Sequence, residues 1–395
     1  MKVTKKQKEL QAKILDTLYV RGPISRIDIA HQTGITPATV SSITSHFIKD
    51  KLVEEVGEDS SDKGSGRKKI LLDIKKNHQY FVGVELSEKF ISFCLTDNKA
   101  ILLEQEVLDL DIHADTDTFT TKNIATLIKS FIKKFEELNI SAVGVALPGH
   151  HSIKDHQLLT NNPIWKDIDL NDLREIVGIP MYFENNVKSM LIYKRVFGES
   201  SIDENLILHH ISRGIFCAYM YEGELYAQDN RLVGEVGHTT IQVDGELCEC
   251  GNRGCLQTFS SETWLVKKAQ YIFEQMDETY LKKIVSDPSD ITFHTLLTAY
   301  KLGDPTIILL LQNAIKAIAT NIINLSMIID AQTIFVHGNI YNEPSLVQLL
   351  EEIIMQRKPL FSHENKPKIK VIPYRTINGA LGACALCVSE TYMKA

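Results

Sequence analysis

The sequence predicts a helix-turn-helix head with a basic wing, followed by an α/β body. Two observations lead to this fold class: the order of helix caps and glycine breaks in residues 1–70, and the alternation of strand-like and helix-like segments after residue 78. A chain of 395 residues is long enough for two or three domains. With 44% hydrophobic and 24% charged residues, its composition excludes a disordered chain.

Three short helices are predicted in the head. Thr4 opens a capping box before the first helix, and Ser25 caps a second helix that Gly34 ends. Thr36 caps a third helix, with Pro37 at its first position. A helix, a tight glycine turn and another helix make the helix-turn-helix pattern.

The third helix and the following loop suit a DNA surface. We expect Val40, Ile43 and Phe47 to face inward, so the opposite face presents short hydroxyl side chains that fit closely into a major groove. Predicted strands at 52–56 and 70–72 flank a basic loop, whose arginine suits the negative potential of a minor groove. The expected DNA-contacting residues are Ser25, Arg26, Thr36, Pro37, Ala38, Thr39, Ser41, Ser42, Ser45, Arg67 and Lys68. The alternative is a helical protein-interaction module with a solvated basic loop.

The charge distribution and the cysteine content limit the possible partners and the cellular compartment. Residues 1–70 carry a net charge of +4, whereas the remainder carries −11, which favours double-stranded DNA as the partner of the head. We see neither an apolar run of about 18 residues for a membrane span nor the apolar stretch of a secretory signal. An odd number of cysteines, seven, favours a reducing cytoplasm and a metal site over disulfides.

One histidine and three cysteines have the spacing of a zinc site. His238 precedes Cys248, Cys250 and Cys255, and glycines within the cysteine segment allow a tight loop. Four protein ligands leave no open position, so the predicted Zn²⁺ is structural; the alternative is free cysteines in a loop. The other cysteines lie in apolar surroundings, and we interpret them as core residues: Cys94, Cys217, Cys384 and Cys387.

These segments resemble the ROK (repressor, open reading frame, kinase) family, in particular its xylose-repressor and NagC-like branch. The resemblance rests on residues 22–30 and 36–42 and on Cys-x-Cys-Gly-x-x-Gly-Cys after Gly-Glu-x-Gly-His, and it covers nearly the whole chain. It implies a body of two lobes of the actin-like, ribonuclease-H-like ATPase fold, with a sugar cleft between them. The expected domains are a winged helix-turn-helix at 1–75, a first lobe at 78–195 with a C-terminal helix at 379–395, and a second lobe at 196–378.

The resemblance also implies a set of residues that bind a monosaccharide. Glu235 and His238 match family positions that hold sugar hydroxyls, and His238 would use its second ring nitrogen on zinc. An asparagine before Trp165 belongs to the same pocket, but spacing does not decide between two neighbours, of which we favour Asn162. The full expected set is Gly149, His150, Asn161, Asn162, Asn185, Asn186, Glu235, His238 and Gln257.

Departures from the family's kinases argue against catalysis. The kinases' Asp-x-Gly-Gly-Thr is here Glu85-Leu-Ser-Glu-Lys89, and their Gly-Thr-Gly is Ser212-Arg213-Gly214. The family's catalytic aspartate is replaced by Asn186, whose amide cannot accept a proton. Gln257 replaces a glutamate, which weakens any transfer of sugar specificity. We therefore expect no ATP and no enzymatic activity.

The sequence hypothesis is a sugar-responsive transcriptional repressor. It would bind as a homodimer, or a higher homo-oligomer, to a pseudo-palindromic operator, because one head on a short half-site binds weakly. The alternatives are an active sugar kinase with a regulatory head, and a regulator that responds to a partner protein. The sequence leaves open which sugar acts and whether it induces or co-represses.

Overall fold

The chain folds into two compact units in this computed structural model. The first comprises Met1–Asp203 and Thr376–Ala395, and the second comprises Glu204–Arg375. The structure describes residues 4–58, 68–110, 119–152, 157–160, 163–165, 167–198, 204–227, 230–358 and 366–394.

The first unit begins with three helices and a three-stranded antiparallel sheet. These elements are α1 (Lys5–Arg21), β1 (Ile24–Ser25), α2 (Arg26–Thr33), α3 (Pro37–Lys49), β2 (Val53–Glu58) and β3 (Ile70–Ile74). The strand order is β1-β3-β2, so β3 lies in the middle. We call this part, residues 4–74, the head.

The predicted helix caps of the head are confirmed. Thr4 forms the capping box of α1, Ser25 accepts from the Asp28 backbone N–H at the start of α2, and Thr36 caps α3. Gly34 ends α2 at φ +68°, a left-handed conformation that glycine adopts without strain.

The inward face of α3 differs by one residue from the prediction. Val40 and Phe47 are buried as expected, but Thr44 is fully buried in place of the half-buried Ile43. The Thr44 hydroxyl donates to the Val40 carbonyl at 2.8 Å, which satisfies its polar group inside the core. Apolar periodicity alone therefore misses a threonine that bonds to its own helix.

A five-stranded sheet with flanking helices completes the first unit. Its strands are β4 (Tyr80–Leu86), β5 (Phe90–Asp97), β6 (Leu102–Asp109), β7 (Ile140–Leu147) and β10 (Met181–Asn185), with the small hairpin β8 (His150–Ser152) and β9 (Gln157–Leu159) beside it. The helices are α4 (Thr121–Lys133), α5 (Leu170–Val177), α6 (Asn186–Phe197) and α13 (Asn378–Val388). The strand order is β10-β7-β4-β5-β6.

Two glycines allow α13 to lie directly on the sheet. A Cβ at Gly83 of β4 would come within 1.9 Å of the Ala380 carbonyl oxygen. A Cβ at Gly144 of β7 would come within 2.0 Å of the Ala383 carbonyl oxygen. The close approach buries Cys384 and Cys387 completely, which confirms their interpretation as core residues.

The second unit has its own five-stranded sheet. Its strands are β11 (Leu206–Ile211), β12 (Ile215–Tyr221), β13 (Glu224–Leu225), β14 (Thr333–His337) and β15 (Lys368–Ile372). Its helices are α7 (Leu256–Ser260), α8 (Glu262–Gln275), α9 (Leu281–Ile284), α10 (Phe293–Lys301), α11 (Pro305–Ser326) and α12 (Pro344–Gln356). The strand order is β13-β12-β11-β14-β15.

The two large sheets share one topology. In each, the first strand pairs antiparallel with the second, the second pairs antiparallel with the third, and two later strands join the other side in parallel. The predicted body of two α/β lobes is thereby confirmed. Helix α11 has the length and apolar composition of a membrane-crossing segment, yet its residues Ile307, Leu311 and Ile315 are fully buried in the core of the second unit.

Candidate functional site

The exposed face of α3 carries most of the predicted DNA-contacting residues. Ala38, Ser41, Ser42 and Ser45 are exposed, and Thr39 is half-buried at the start of the same face. Thr36 and Pro37 are also exposed, although the Thr36 hydroxyl lies 2.9 Å from that of Thr39 and helps to cap the helix. Helix α3 therefore offers a row of short side chains with little bulk.

Two predicted DNA contacts bond to other residues of the head. Ser25 is 2% exposed, and its hydroxyl donates to the Asp28 carboxylate at 2.5 Å, so the prediction for Ser25 is wrong. The Arg26 guanidinium donates to the Thr44 hydroxyl at 3.1 Å and to the Glu55 carboxylate at 3.0 Å. Arg26 thus joins α2 to α3 and β2, and its contact with DNA stays a prediction.

The basic loop is described only at its end. Lys68 is exposed and lies 3.5 Å from the Glu58 carboxylate across the two strands. Such a surface ion pair contributes little to stability, so Lys68 can exchange it for a phosphate. Arg67 lies outside the described residues, as do Asn161 and Asn162 of the predicted sugar pocket.

The four predicted metal ligands come together in the second unit. The ligand atoms of His238, Cys248, Cys250 and Cys255 all lie within 4.8 Å of one another. The Sγ atoms of Cys250 and Cys255 are 3.7 Å apart, and Cys248 Sγ lies 3.7 Å from His238 Nδ1. Zinc–sulfur bonds of about 2.3 Å in a tetrahedron require about 3.8 Å between neighbouring sulfurs, so this set fits a tetrahedral ion.

The thiols of this cluster differ in their pKa values. Burial, followed by the neighbouring thiols, raises the pKa of Cys255 to about 12. Burial opposes ionisation of Cys250 too, but hydrogen bonds led by the Asn252 backbone lower its pKa to about 6. A metal that binds all three as thiolates must therefore displace protons.

In the first unit, two asparagines mark the start of α6. Asn185 is 5% exposed; its amide donates to the Gly149 carbonyl at 3.0 Å, and its oxygen accepts from the Val187 backbone at 2.9 Å. These bonds occupy the side chain, so we correct Asn185 from a sugar contact to a residue that holds the loop of Gly149 against α6. His150 follows on β8 and is half-buried.

Asn186 lies beside a buried carboxyl group. Its amide nitrogen is 3.5 Å from Glu85 Oε1 at the end of β4, and Glu85 Oε2 accepts from the Gly379 backbone N–H at 3.0 Å. Glu85 is 7% exposed, and burial raises its pKa to about 7 although both hydrogen bonds favour the charged form. Sequence reasoning treats Glu85 only as a departure from the kinases; its position within a buried strand, where a carboxyl group is rare, is the available signal.

A second buried pair went unrecognised in the sequence. Glu184 and Lys188 are 8% and 6% exposed, and their charged atoms lie 3.9 Å apart. Burial raises the pKa of Glu184, while Lys188 opposes that rise. The pair flanks the two asparagines in the chain, so it fixes charge close to the start of α6.

The predicted sugar contacts of the second unit gather around one short helical turn. Glu235 precedes the 3₁₀ turn Val236–His238 and is half-buried, and His238 ends that turn with its Nδ1 directed at Cys248. Gln257 reaches over the turn: a Cβ at Gly237 would lie 3.2 Å from its Oε1. The metal cluster therefore sets the orientation of His238 and leaves Nε2 as its other ring nitrogen.

The comparison with known proteins decides the family. The ROK family model matches residues 81–390, which is most of the chain. The chain belongs to the ROK family. The two lobes with one shared strand order are thus the ROK body, and the resemblance seen in the sequence is confirmed.

The relatives of this ROK protein include repressors. It is 30% identical over 265 residues to the xylose repressor of Bacillus spizizenii (strain ATCC 23059 / NRRL B-14472 / W23), covering 66% of this chain and 67% of that one. It is 29% identical over 291 residues to the DNA-binding transcriptional dual regulator NagC of Escherichia coli (strain K12), covering 72% and 68%. These matches support the predicted branch of the ROK family.

Among solved structures, the fold extends over nearly the full length. The crystal structure of a ROK family transcriptional regulator, a homologue of the E. coli MLC protein, superposes with a TM-score of 0.78 at 19% identity, covering 98% of this chain and 97% of that one. At this identity the likeness establishes the fold alone.

Proposed function

We propose that this ROK protein is a sugar-responsive transcriptional repressor that binds operator DNA through a winged helix-turn-helix head. The observation that carries the proposal is the exposed face of α3, a row of short side chains on a capped helix that follows a glycine turn. The strands β2 and β3 form the base of the wing, and Lys68 lies where the wing rejoins β3. The names of the repressor relatives point the same way.

We further propose that the body binds a monosaccharide and does not phosphorylate it. In the first unit the contacts come from Gly149, His150 and Asn186, and in the second from Glu235, His238 and Gln257. One of the two asparagines before Trp165 adds to them. Asn186 can donate to or accept from a sugar hydroxyl, but its amide cannot take the hydroxyl proton.

Zn²⁺ is proposed as the metal of the Cys₃His cluster, in a structural role. It would hold His238 and the start of α7 in fixed positions, since Cys255 immediately precedes that helix. We also propose a homodimer on a pseudo-palindromic site, acting in the cytoplasm, where thiolates stay reduced.

The test is a binding titration with the full-length protein and fluorescent duplex DNA from upstream of its own gene. We expect binding that exceeds binding to a shuffled duplex, and a changed affinity when D-xylose, D-glucose or N-acetyl-D-glucosamine is added. Equal affinity for both duplexes would refute the repressor proposal. If calorimetry detects no binding of any of these sugars while DNA binding is intact, the result would instead favour a regulator that is controlled by a partner protein.

A sugar kinase remains the second candidate because of one observation. Glu85 supplies a carboxyl group 3.5 Å from the Asn186 amide, which is a base close to the family's catalytic position. A coupled assay of ATP consumption with the same sugars tests this alternative. Turnover at an enzyme-like rate that Glu85→Gln abolishes would establish the kinase and overturn the non-catalytic proposal.

A further inference from the structure

Two helices of the first unit both begin at one carboxyl group and both lead to the head. Helix α6 begins at Asn186, whose amide contacts Glu85 Oε1, and α13 begins beside Gly379, whose N–H binds Glu85 Oε2. The fit is tight, because a Cβ at Gly379 would come within 2.2 Å of the Glu85 carboxyl carbon. Glu85 therefore holds the N-terminal ends of both helices together.

The far end of α6 is fixed to α1 of the head. Arg195 Nη1 and Nη2 donate to the two carboxylate oxygens of Asp16 at 2.6 and 2.8 Å. The side chains of Arg195 and Asp16 are only 10% and 19% exposed, so water screens this bidentate pair poorly. From Asn186 to Arg195 the helix rises about 14 Å.

The far end of α13 reaches the same helix of the head. The chain continues into a π-helical turn, Ser389–Met393, and the ring of Tyr392 stacks on that of Tyr19 with centroids 5.6 Å apart and planes at 28°. Phe197, the last residue of α6, meets Tyr19 edge-on at 6.2 Å. Tyr19 and Asp16 lie one turn apart on α1, so both helices end on one patch of the head.

Helices α6 and α13 pack closely against each other. A Cβ at Gly382 of α13 would lie 2.7 Å from the Met190 nitrogen of α6, so the two backbones touch. The glycines of β4 and β7 seat α13 on the sheet in the same way. Close-packed helices transmit a displacement from one end to the other, because neither can yield locally.

We propose that α6 and α13 act together as a relay, through which a change at Asn186 and Glu85 alters the position of α1 in the head. The Asp16–Arg195 pair and the Tyr19–Tyr392 stack are its contacts with the head. The identity of the signal, a sugar hydroxyl bound at Asn186, rests on the proposed function; the mechanical coupling does not. By linkage, DNA bound to the head changes sugar affinity by the same factor.

The experiment perturbs one end of the relay and measures the other, with no sugar or DNA present. Asn186→Asp adds a second carboxyl group beside Glu85, and hydrogen exchange is followed at the α1 amides, Lys5–Arg21. We expect exchange of these amides to change about fivefold or more. The same substitution combined with Arg195→Gln or Asp16→Asn should lose most of that response.

Lys99→Gln is the matched control. Lys99 Nζ lies 2.7 Å from Asp73 Oδ2 and also joins the head to the first lobe, but neither residue belongs to α6 or α13. The response of α1 to Asn186→Asp should survive this change. A response that persists unchanged in Arg195→Gln and in Asp16→Asn, or that is equally lost in Lys99→Gln, would overturn the relay.

A reversed pair guards against misfolding. Asp16→Arg together with Arg195→Asp should restore the response if the single variants fail because the ion pair is broken; failure to restore it counts against the relay. Titrations with sugar and DNA on the same variants then address the proposed function separately. If the wild type responds to no sugar, but Asn186→Asp still alters hydrogen exchange in α1, the proposed signal is refuted and the relay is supported.

Discussion

Among single residues, Glu85 carries the most unusual chemistry. It lies buried between the N-termini of two helices, where a carboxylate is favoured, yet burial raises its pKa to about 7. At neutral pH the acid and the carboxylate therefore coexist. The group binds a proton more tightly in the folded protein than in the unfolded chain, whose carboxyl has its ordinary pKa of 4.5.

Stability should consequently depend on pH through this residue. The contribution of Glu85 is fully present below about pH 4.5 and is lost as the pH rises through 7, because ionisation then favours the unfolded chain. Glu85→Gln keeps the hydrogen-bond acceptor and removes the titration. Relative to this variant, the wild type should lose about 3 kcal/mol in free energy of unfolding between pH 4.5 and 8.

Urea denaturation of both proteins across this pH range measures the difference. Glu104→Gln, at an exposed position of β6, is the matched control and should follow the wild type. A pH-independent difference between wild type and Glu85→Gln would show that the carboxyl titrates normally.

Sequence reasoning at this scale succeeded where residue type decides the chemistry. The metal ligands followed from spacing and ligand preference, and the structure brings them together. The role of Asn186 as a sugar contact stays a prediction. Sequence reasoning did not reveal that Ser25, which it identified as an N-cap, is buried, because burial depends on how the elements of the head pack together. Asn185 was misassigned for the same reason: its partners, Gly149 and α6, are distant in sequence or depend on the local fold.

At the scale of elements, the cysteine loop is the clearest case of one ion shaping a segment. Between the 3₁₀ turn Val236–His238 and α7, the chain has two isolated bridges, Thr240 with Cys255 and Leu247 with Arg253, and otherwise no helix or strand. So little regular structure suits a segment that a metal ion holds together.

Cys248→Ser should therefore abolish stoichiometric zinc binding and lower the midpoint of thermal unfolding. The reason is that one of four ligands is lost from a closed site, and the loop then has few other long-range bonds. Zinc content by atomic absorption and calorimetric melting check both effects. Cys217→Ser, a buried cysteine outside the cluster, is the control and should keep its zinc; zinc retained at wild-type level in Cys248→Ser would contradict the assignment.

Strand β6 shows what the sequence could not reveal about the elements. Most strands and helices follow from apolar runs and caps, as at Tyr80–Leu86 and Leu170–Val177. Residues Leu102–Asp109 are exposed along their whole length, so neither face imposes a burial pattern. Only pairing with β5, a non-local interaction, makes this segment a strand.

For the whole molecule, the proposal divides two activities between residues of the two units. Ser41→Glu places a negative charge on the exposed face of α3, where it would repel phosphates and weaken DNA binding about tenfold or more. Sugar affinity should stay unchanged. Glu235→Ala removes a proposed sugar contact and should abolish the sugar response while DNA affinity stays at the wild-type level.

Calorimetry with sugar and fluorescence anisotropy with DNA measure the two affinities for each variant. Thr126→Glu adds the same charge to an exposed position on α4 and controls for net charge. Loss of both affinities in either variant would indicate misfolding, and loss of neither would remove that residue from its proposed site.

The position of α13 in the chain has a consequence for biosynthesis. This helix completes the core beneath Gly83 and Gly144, yet the ribosome makes it only after the entire second unit. Until more than 170 further residues have emerged, the nascent first unit lacks the helix that packs against Gly83 and Gly144, and Tyr19 lacks Tyr392. In a chain truncated before residue 376, the first unit would lack α13 and the head would lack its contact with Tyr392. We therefore expect such incomplete products not to regulate as the full-length repressor does.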